Sequence, residues 1–144
     1  MSRSLEFVGN HPLLVLLFVA LLVAVLVVEL KVRAGGNRRL SIFEFTRALN
    51  AADSLLIDLR PGTDFDRGHI RGARHYTPSQ VDPAAKDIGK YKDGTVLLYC
   101  QSGISSSEVA DRLLKAGYAR VYSLKGGIAA WMQDQLPVER GRGR

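Results

Sequence analysis

Val96-Leu97-Leu98-Tyr99-Cys100-Gln101-Ser102-Gly103-Ile104-Ser105-Ser106-Ser107-Glu108 carries an apolar run onto the chain's one cysteine, then through a Gly/Ser loop into a helix start. A thiol at the end of a strand, facing loop N–H groups and a helix N-terminus, lies where a thiolate is stabilised. The bland alternative for a lone cysteine is a small buried hydrophobe. Its place after a strand and before a glycine loop favours chemistry.

Composition narrows the field. The chain has 144 residues and a net charge of +6. Residues 40–138 are close to charge balance. The excess sits at the edges, in Lys31, Arg33, Arg38 and Arg39 and again in Arg140, Arg142 and Arg144. A nucleic-acid binder needs a basic face on the folded domain, so nucleic acid is not expected as a partner. A single cysteine excludes an intramolecular disulfide. His11, His69 and His75 are scattered, so no metal site is expected.

From Phe7 to Val28 there is no Asp, Glu, Lys or Arg, and from Leu13 to Val28 every residue is Leu, Val, Phe or Ala. Such a run, taken as residues 7–30, is long enough as helix to cross a bilayer and has no polar face for water. Arg3 precedes it and Lys31, Arg33, Arg38 and Arg39 follow it. The positive-inside rule therefore puts the C-terminal side in the cytoplasm and residues 1–6 outside. A cleaved signal peptide is the competing reading, since Val32-Arg33-Ala34 loosely resembles a small-x-small site. Residues 31–39 read as a basic linker, with Arg38 and Arg39 assigned to topology and anionic lipid. Residues 139–144 read as a basic tail.

Residues 40–138 alternate helical and strand patterns, the signature of an α/β fold with a mostly parallel sheet. Leu40 to Asn50 reads as a helix with Ser41 and Glu44 as its capping box. Leu55 to Pro61 reads as a buried strand that places Asp58 and Arg60 at its carboxyl end, where open α/β sheets carry their sites. A structural ion pair is preferred there over substrate contact, and His69 is likewise read as structural. His75-Tyr76 starts a short strand, Pro78 to Val81 opens a short helix, and Asp87 to Gly94 is polar and closes in a turn at Asp93-Gly94. Thr95 to Tyr99 is the central strand. Val109, Ala110, Leu113 and Leu114 mark one face of a helix that ends before Gly117. Ala119 to Leu124 is another strand, and Ile128 to Asp134 a last helix.

Four ordered motifs now resemble one family. They are Ile57-Asp58-Leu59-Arg60, then Gly68-His69-Ile70-x-Gly72-Ala73, then the strand ending at Cys100. Last comes Tyr122-Ser123-Leu124-Lys125-Gly126-Gly127-Ile128-x-x-Trp131. Together they resemble the rhodanese-like sulfurtransferase domain over roughly residues 40–138. The resemblance implies a five-stranded parallel sheet flanked by helices, preceded here by one transmembrane helix. It implies that Cys100 is the nucleophile and cycles through a persulfide with no separate cofactor. The backbone N–H groups of Gln101, Ser102, Gly103, Ile104, Ser105 and Ser106 would surround the outer sulfur, with Asp58 and Arg60 in support. The layout resembles single-domain members anchored in the bacterial inner membrane.

The chain departs from that pattern in its loop. Many active members carry a basic residue just after the cysteine and an arginine five positions beyond it; here these are Gln101 and Ser105. Ser105-Ser106-Ser107-Glu108 also reads as a capping box. The favoured reading is a sulfurtransferase that takes sulfur from a small molecule or a protein and passes it to a thiol. The alternative is a weak or inactive rhodanese fold that binds and regulates a membrane protein. A phosphatase of related fold would need arginine six positions after the cysteine, where Ser106 stands.

Overall fold

The apolar run before Cys100 forms the centre of a sheet in a computed structural model that describes residues 10–35 and 38–142. The chain divides into two units, residues 1–37 and 38–144. In the first, α1 runs over Pro12–Gly35. Its Pro12–Leu30 portion is 19 residues long and apolar enough to be a candidate membrane span. At 1.5 Å per residue that is about 28 Å, close to a hydrocarbon core. Residues 1–9, including the expected outer segment and the start of the 7–30 run, lie outside the described residues.

The helix differs from the expected boundary at its far end. Residues 31–35, read as linker, stay helical. Lys31-Val32-Arg33-Ala34 contains no helix breaker, and its Ala, Lys and Arg are good helix formers. Basic residues also suit a helix C-terminus. Arg39, read as the end of that linker, belongs to the sheet instead.

The second unit contains β1 (Arg39–Leu40), α2 (Ile42–Leu49), β2 (Ser54–Asp58), α3 (Gly62–Arg67) and β3 (Arg74–His75). It continues with α4 (Lys86–Gly89), β4 (Thr95–Tyr99), α5 (Ile104–Lys115), β5 (Arg120–Leu124) and α6 (Gly127–Gln133). The strands form one sheet in the order β1-β5-β4-β2-β3, and every pair is parallel. The expected five-stranded parallel sheet is therefore present, with β4 at its centre.

Successive side chains of a strand face opposite sides, and here both sides are covered, so both are apolar. Leu55, Ile57, Val96, Leu98 and Cys100 face α5, packing with Val109, Ala110 and Leu113. Leu56, Leu97 and Tyr99 face the other layer, with Phe45 of α2, Phe65 of α3, and Ile128 and Trp131 of α6. This alternation turns the Cys100 side chain toward α5. Burying each such Leu contributes about 1.5–3 kcal/mol.

The expected Ser41–Glu44 capping box is present. Ser41 Oγ accepts from the Glu44 N–H at 3.3 Å, and the Ser41 N–H donates to Glu44 Oε2 at 3.0 Å. Other expectations fail. Pro78 to Val81 is not helical; the Thr77 N–H donates to Gln80 Oε1 at 3.0 Å, closing a local turn that competes with a helix. The polar segment from Asp87 begins inside α4, which buries Ile88 completely, before it closes in the expected turn, where the Gly94 N–H donates to Tyr91 C=O at 3.0 Å. The tail is in part tied down. His69 and Glu139 exchange two backbone hydrogen bonds of 2.8 Å, and the Gly141 N–H donates to Asp66 C=O at 2.9 Å.

Candidate functional site

Cys100 follows β4 directly and is 6% exposed. Its Sγ accepts from the Gly103 N–H at 3.0 Å and lies 3.5 Å from Ser106 Oγ. Gly103 makes the first contact possible. It sits at φ +94°, a left-handed conformation that strains any residue with a Cβ, and it turns the chain into α5. The loop so formed spans Gln101 to Ser106. Gln101, Ser102 and Ile104 are exposed at its rim, while Gly103 and Ser106 are buried.

The loop's carbonyls are drawn away from the sulfur. Cys100 C=O accepts from the Ile128 N–H at 2.9 Å, and Gln101 C=O accepts from the Ala129 N–H at 3.3 Å. These donors belong to the first turn of α6, where helical N–H groups lack intrahelical partners. Gly127 allows the approach. It has φ +61°, and a Cβ there would overlap the Cys100 and Gln101 carbonyls. The Gly126-Gly127 turn thus fixes the loop with N–H groups inward and carbonyls outward, an arrangement suited to an anion.

The electrostatics follow from that orientation. Burial alone pushes the Cys100 thiol up. Hydrogen bonds from the Ser106 hydroxyl and from the N–H groups of Ser106, Gly103 and Ser102 outweigh it and bring the thiol below its ordinary value. The sulfur has donors around it and no Lys or Arg bonded to it among the described residues. Gln101 and Ser105 stand at the loop positions where cations were sought.

The expected capping box at Ser105 to Glu108 does not form. The N-cap is Gly103, with no side-chain cap. Ser106 points at sulfur instead, and Ser107 Oγ donates to Gly103 C=O at 2.8 Å. Both serines lie in the first turn of α5 with their hydroxyls turned inward.

Asp58 and Arg60 form a separate unit. Arg60 Nη2 donates to Asp58 Oδ2 at 2.8 Å and to Gly68 C=O at 2.6 Å. Its Nε donates to Asp58 Oδ1 at 3.1 Å, and the Arg60 N–H donates to the same oxygen at 2.9 Å. Burial by itself would lower Arg60, but the Asp58 carboxylate outweighs it and holds the guanidinium above its ordinary value. The guanidinium also lies 5.8 Å from the Tyr99 ring centroid. Every one of these partners is structural, and none is in the cysteine loop. His69 is buried too, stacked on Phe65 at 3.9 Å between ring centroids, with Nδ1 2.9 Å from the Phe65 carbonyl oxygen.

The loop was legible in the sequence, but the bond from Ser107 to Gly103 and the docking role of Gly126-Gly127 were not. The paired glycines after a strand were the available signal. Among the described residues no cluster of His, Cys, Asp and Glu is arranged to hold a metal.

Comparison with known proteins agrees with this geometry. The Rhodanese-like domain model matches residues 42–134. Uncharacterized protein YibN of Escherichia coli K12 is 39% identical over 99% of this chain and 100% of its own length. Thiosulfate sulfurtransferase GlpE of Glaesserella parasuis is 36% identical over 62% of this chain and 81% of its own. A Rhodopseudomonas palustris protein described as a possible tyrosine phosphatase shares the fold. Its TM-score is 0.63 at 24% identity, covering 72% of this chain and 86% of that one.

Proposed function

The chain belongs to the rhodanese-like domain family, and from that premise we propose that it is a membrane-anchored sulfurtransferase carrying sulfane sulfur on Cys100. The observation that carries this reading is the loop of inward N–H groups that holds the Cys100 thiol below its ordinary value. The thiolate attacks the outer sulfur of a donor. A bond forms between Cys100 Sγ and that sulfur, and the donor leaves with its electron pair, as sulfite from thiosulfate or as a thiolate from a persulfide. An acceptor thiolate then attacks the terminal sulfur and frees the Cys100 thiolate. No external oxidant or cofactor enters.

The N–H groups of Gln101, Ser102, Gly103, Ile104, Ser105 and Ser106 stabilise the negative terminal sulfur. A loop without cations holds a dianion less firmly than a charged one, because charge-assisted hydrogen bonds are roughly twice as strong as neutral ones. That favours a persulfide or a protein-delivered sulfur over free thiosulfate. Asp58 and Arg60 support the scaffold only. A phosphatase is disfavoured, since the position it would need as arginine is Ser106, buried against the sulfur.

We further propose that α1 anchors the chain through a lipid bilayer in the bacterial inner membrane, with residues 38–144 on the cytoplasmic side. Its apolar length and the basic residues that follow it support this.

The test is intact mass spectrometry of the full chain in detergent after exposure to thiosulfate or to glutathione persulfide. Gain of one sulfur atom, reversed by a thiol and absent in Cys100→Ser, is expected. No adduct with either donor would overturn the enzyme reading and leave a module that binds a membrane protein.

A further inference from the structure

Arg39 and Cys100 are far apart in sequence, yet one chain of hydrogen bonds links them. The segment leaving the first unit becomes the edge strand β1, paired with β5 in the register Arg39↔Ser123. The Ser123 N–H donates to Arg38 C=O at 2.7 Å, and the Lys125 N–H to Leu40 C=O at 2.9 Å. From that strand both arginines reach α5. Arg38 Nη1 pairs with Asp111 Oδ1 at 2.6 Å, and Arg39 Nε donates to Ser107 Oγ at 2.9 Å.

Ser107 is a hub whose donor directions are forced. A hydroxyl has one proton and two acceptor sites. Gly103 C=O, 2.8 Å from Ser107 Oγ, can only accept, and Arg39 Nε can only donate. Ser123 Oγ, at 3.3 Å and fully buried, must therefore donate to Ser107. All three sites of the Ser107 hydroxyl are then used. The carbonyl it holds belongs to Gly103, the left-handed residue whose N–H bonds the sulfur.

We propose that Arg39 is a positioning residue for the Cys100 loop, acting through Ser107 on Gly103, so that the segment entering the domain completes the sulfur cradle. Arg39 fixes the Ser107 hydroxyl, Ser107 fixes the Gly103 carbonyl, and the conformation that aims the Gly103 N–H at sulfur is held from outside the loop. Arg39 is exposed, so its charge is screened by water, and the effect is chiefly geometric. The device rests on Cys100 being the reactive sulfur. It also gives the basic pair after the apolar helix a role within the domain.

The test reads the thiol itself in the full chain in detergent, through the pH dependence of Cys100 alkylation by iodoacetamide. Arg39→Ala and Ser107→Ala each raise the midpoint by about half a pH unit. The double variant rises no further than the larger single change, because both cut one chain. Arg38→Ala, which removes the Asp111 pair on the same helix, leaves the midpoint in place. An unshifted midpoint in Arg39→Ala, an additive double variant, or an equal shift in Arg38→Ala would overturn the proposal. If Arg39→Ala does not fold, Arg39→Leu, which also lacks a donor, replaces it under the same criteria. Sulfur uptake by the wild type is measured alongside. Its absence removes the sulfurtransferase reading but not the clamp, and an unshifted midpoint removes only the clamp.

Discussion

Two buried polar sites lie at the carboxyl ends of the neighbouring strands β2 and β4, and they are built on opposite terms. Around Asp58 and Arg60, opposite charges meet at 2.8 Å, and Gly68 C=O takes a further guanidinium proton. Around Cys100, donors converge on a sulfur that has no counter-charge bonded to it among the described residues. The first site balances its own charge within the pair. The second surrounds its sulfur with dipoles instead of an opposite charge. Burial therefore does not distinguish the two sites; whether a counter-charge or dipoles hold the buried group does.

The largest effect that separates the sites belongs to the ion pair. Asp58→Ala leaves a guanidinium buried without its carboxylate, and breaking such a pair costs about 3–5 kcal/mol. Denaturant unfolding should show that loss, while the molecules that remain folded alkylate Cys100 with an unchanged pH profile. A shifted profile would break the comparison by making Asp58 part of the cradle. Ser106→Ala is the mirror case. It removes one hydroxyl from a thiolate and costs about 1 kcal/mol of stability or less. The same change raises the Cys100 alkylation midpoint by about one pH unit.

The contrast also explains which parts of the molecule could be read in advance. Strands β2 to β5, the Ser41–Glu44 cap and the thiol at the end of β4 are local patterns, and each formed as its residues require. Asp58 and Arg60 lie two residues apart, so their pairing was legible as well. The Ser105–Glu108 cap was misread for a physical reason. A serine near a helix start can cap the helix or turn inward. Here the sulfur and the Gly103 carbonyl drew Ser106 and Ser107 inward. No local pattern foretells Arg39 on Ser107, which lie 68 residues apart in sequence and meet only through β1–β5 pairing. The extension of α1 through Gly35 was hidden by a glycine that looked like a break.

The smallest expected effect tests the cradle through stability alone. Cys100 is charged when deprotonated, and in the folded chain its pKa lies below the ordinary 9.0. Such a group contributes stability that is fully present above the unfolded value and lost as pH falls through the folded value. The difference in unfolding free energy between wild type and Cys100→Ser should therefore grow in favour of wild type as pH rises toward 9.0, then level off. Every other titrating group is common to both proteins and cancels from that difference. The gain is small because burial of the thiolate opposes the hydrogen bonds that hold it. Urea unfolding of both chains under reducing conditions, from neutral pH to above 9.0, measures it. A difference that shrinks with rising pH would mean that burial outweighs the donors, and Cys100 would then be scaffold like Asp58 and Arg60.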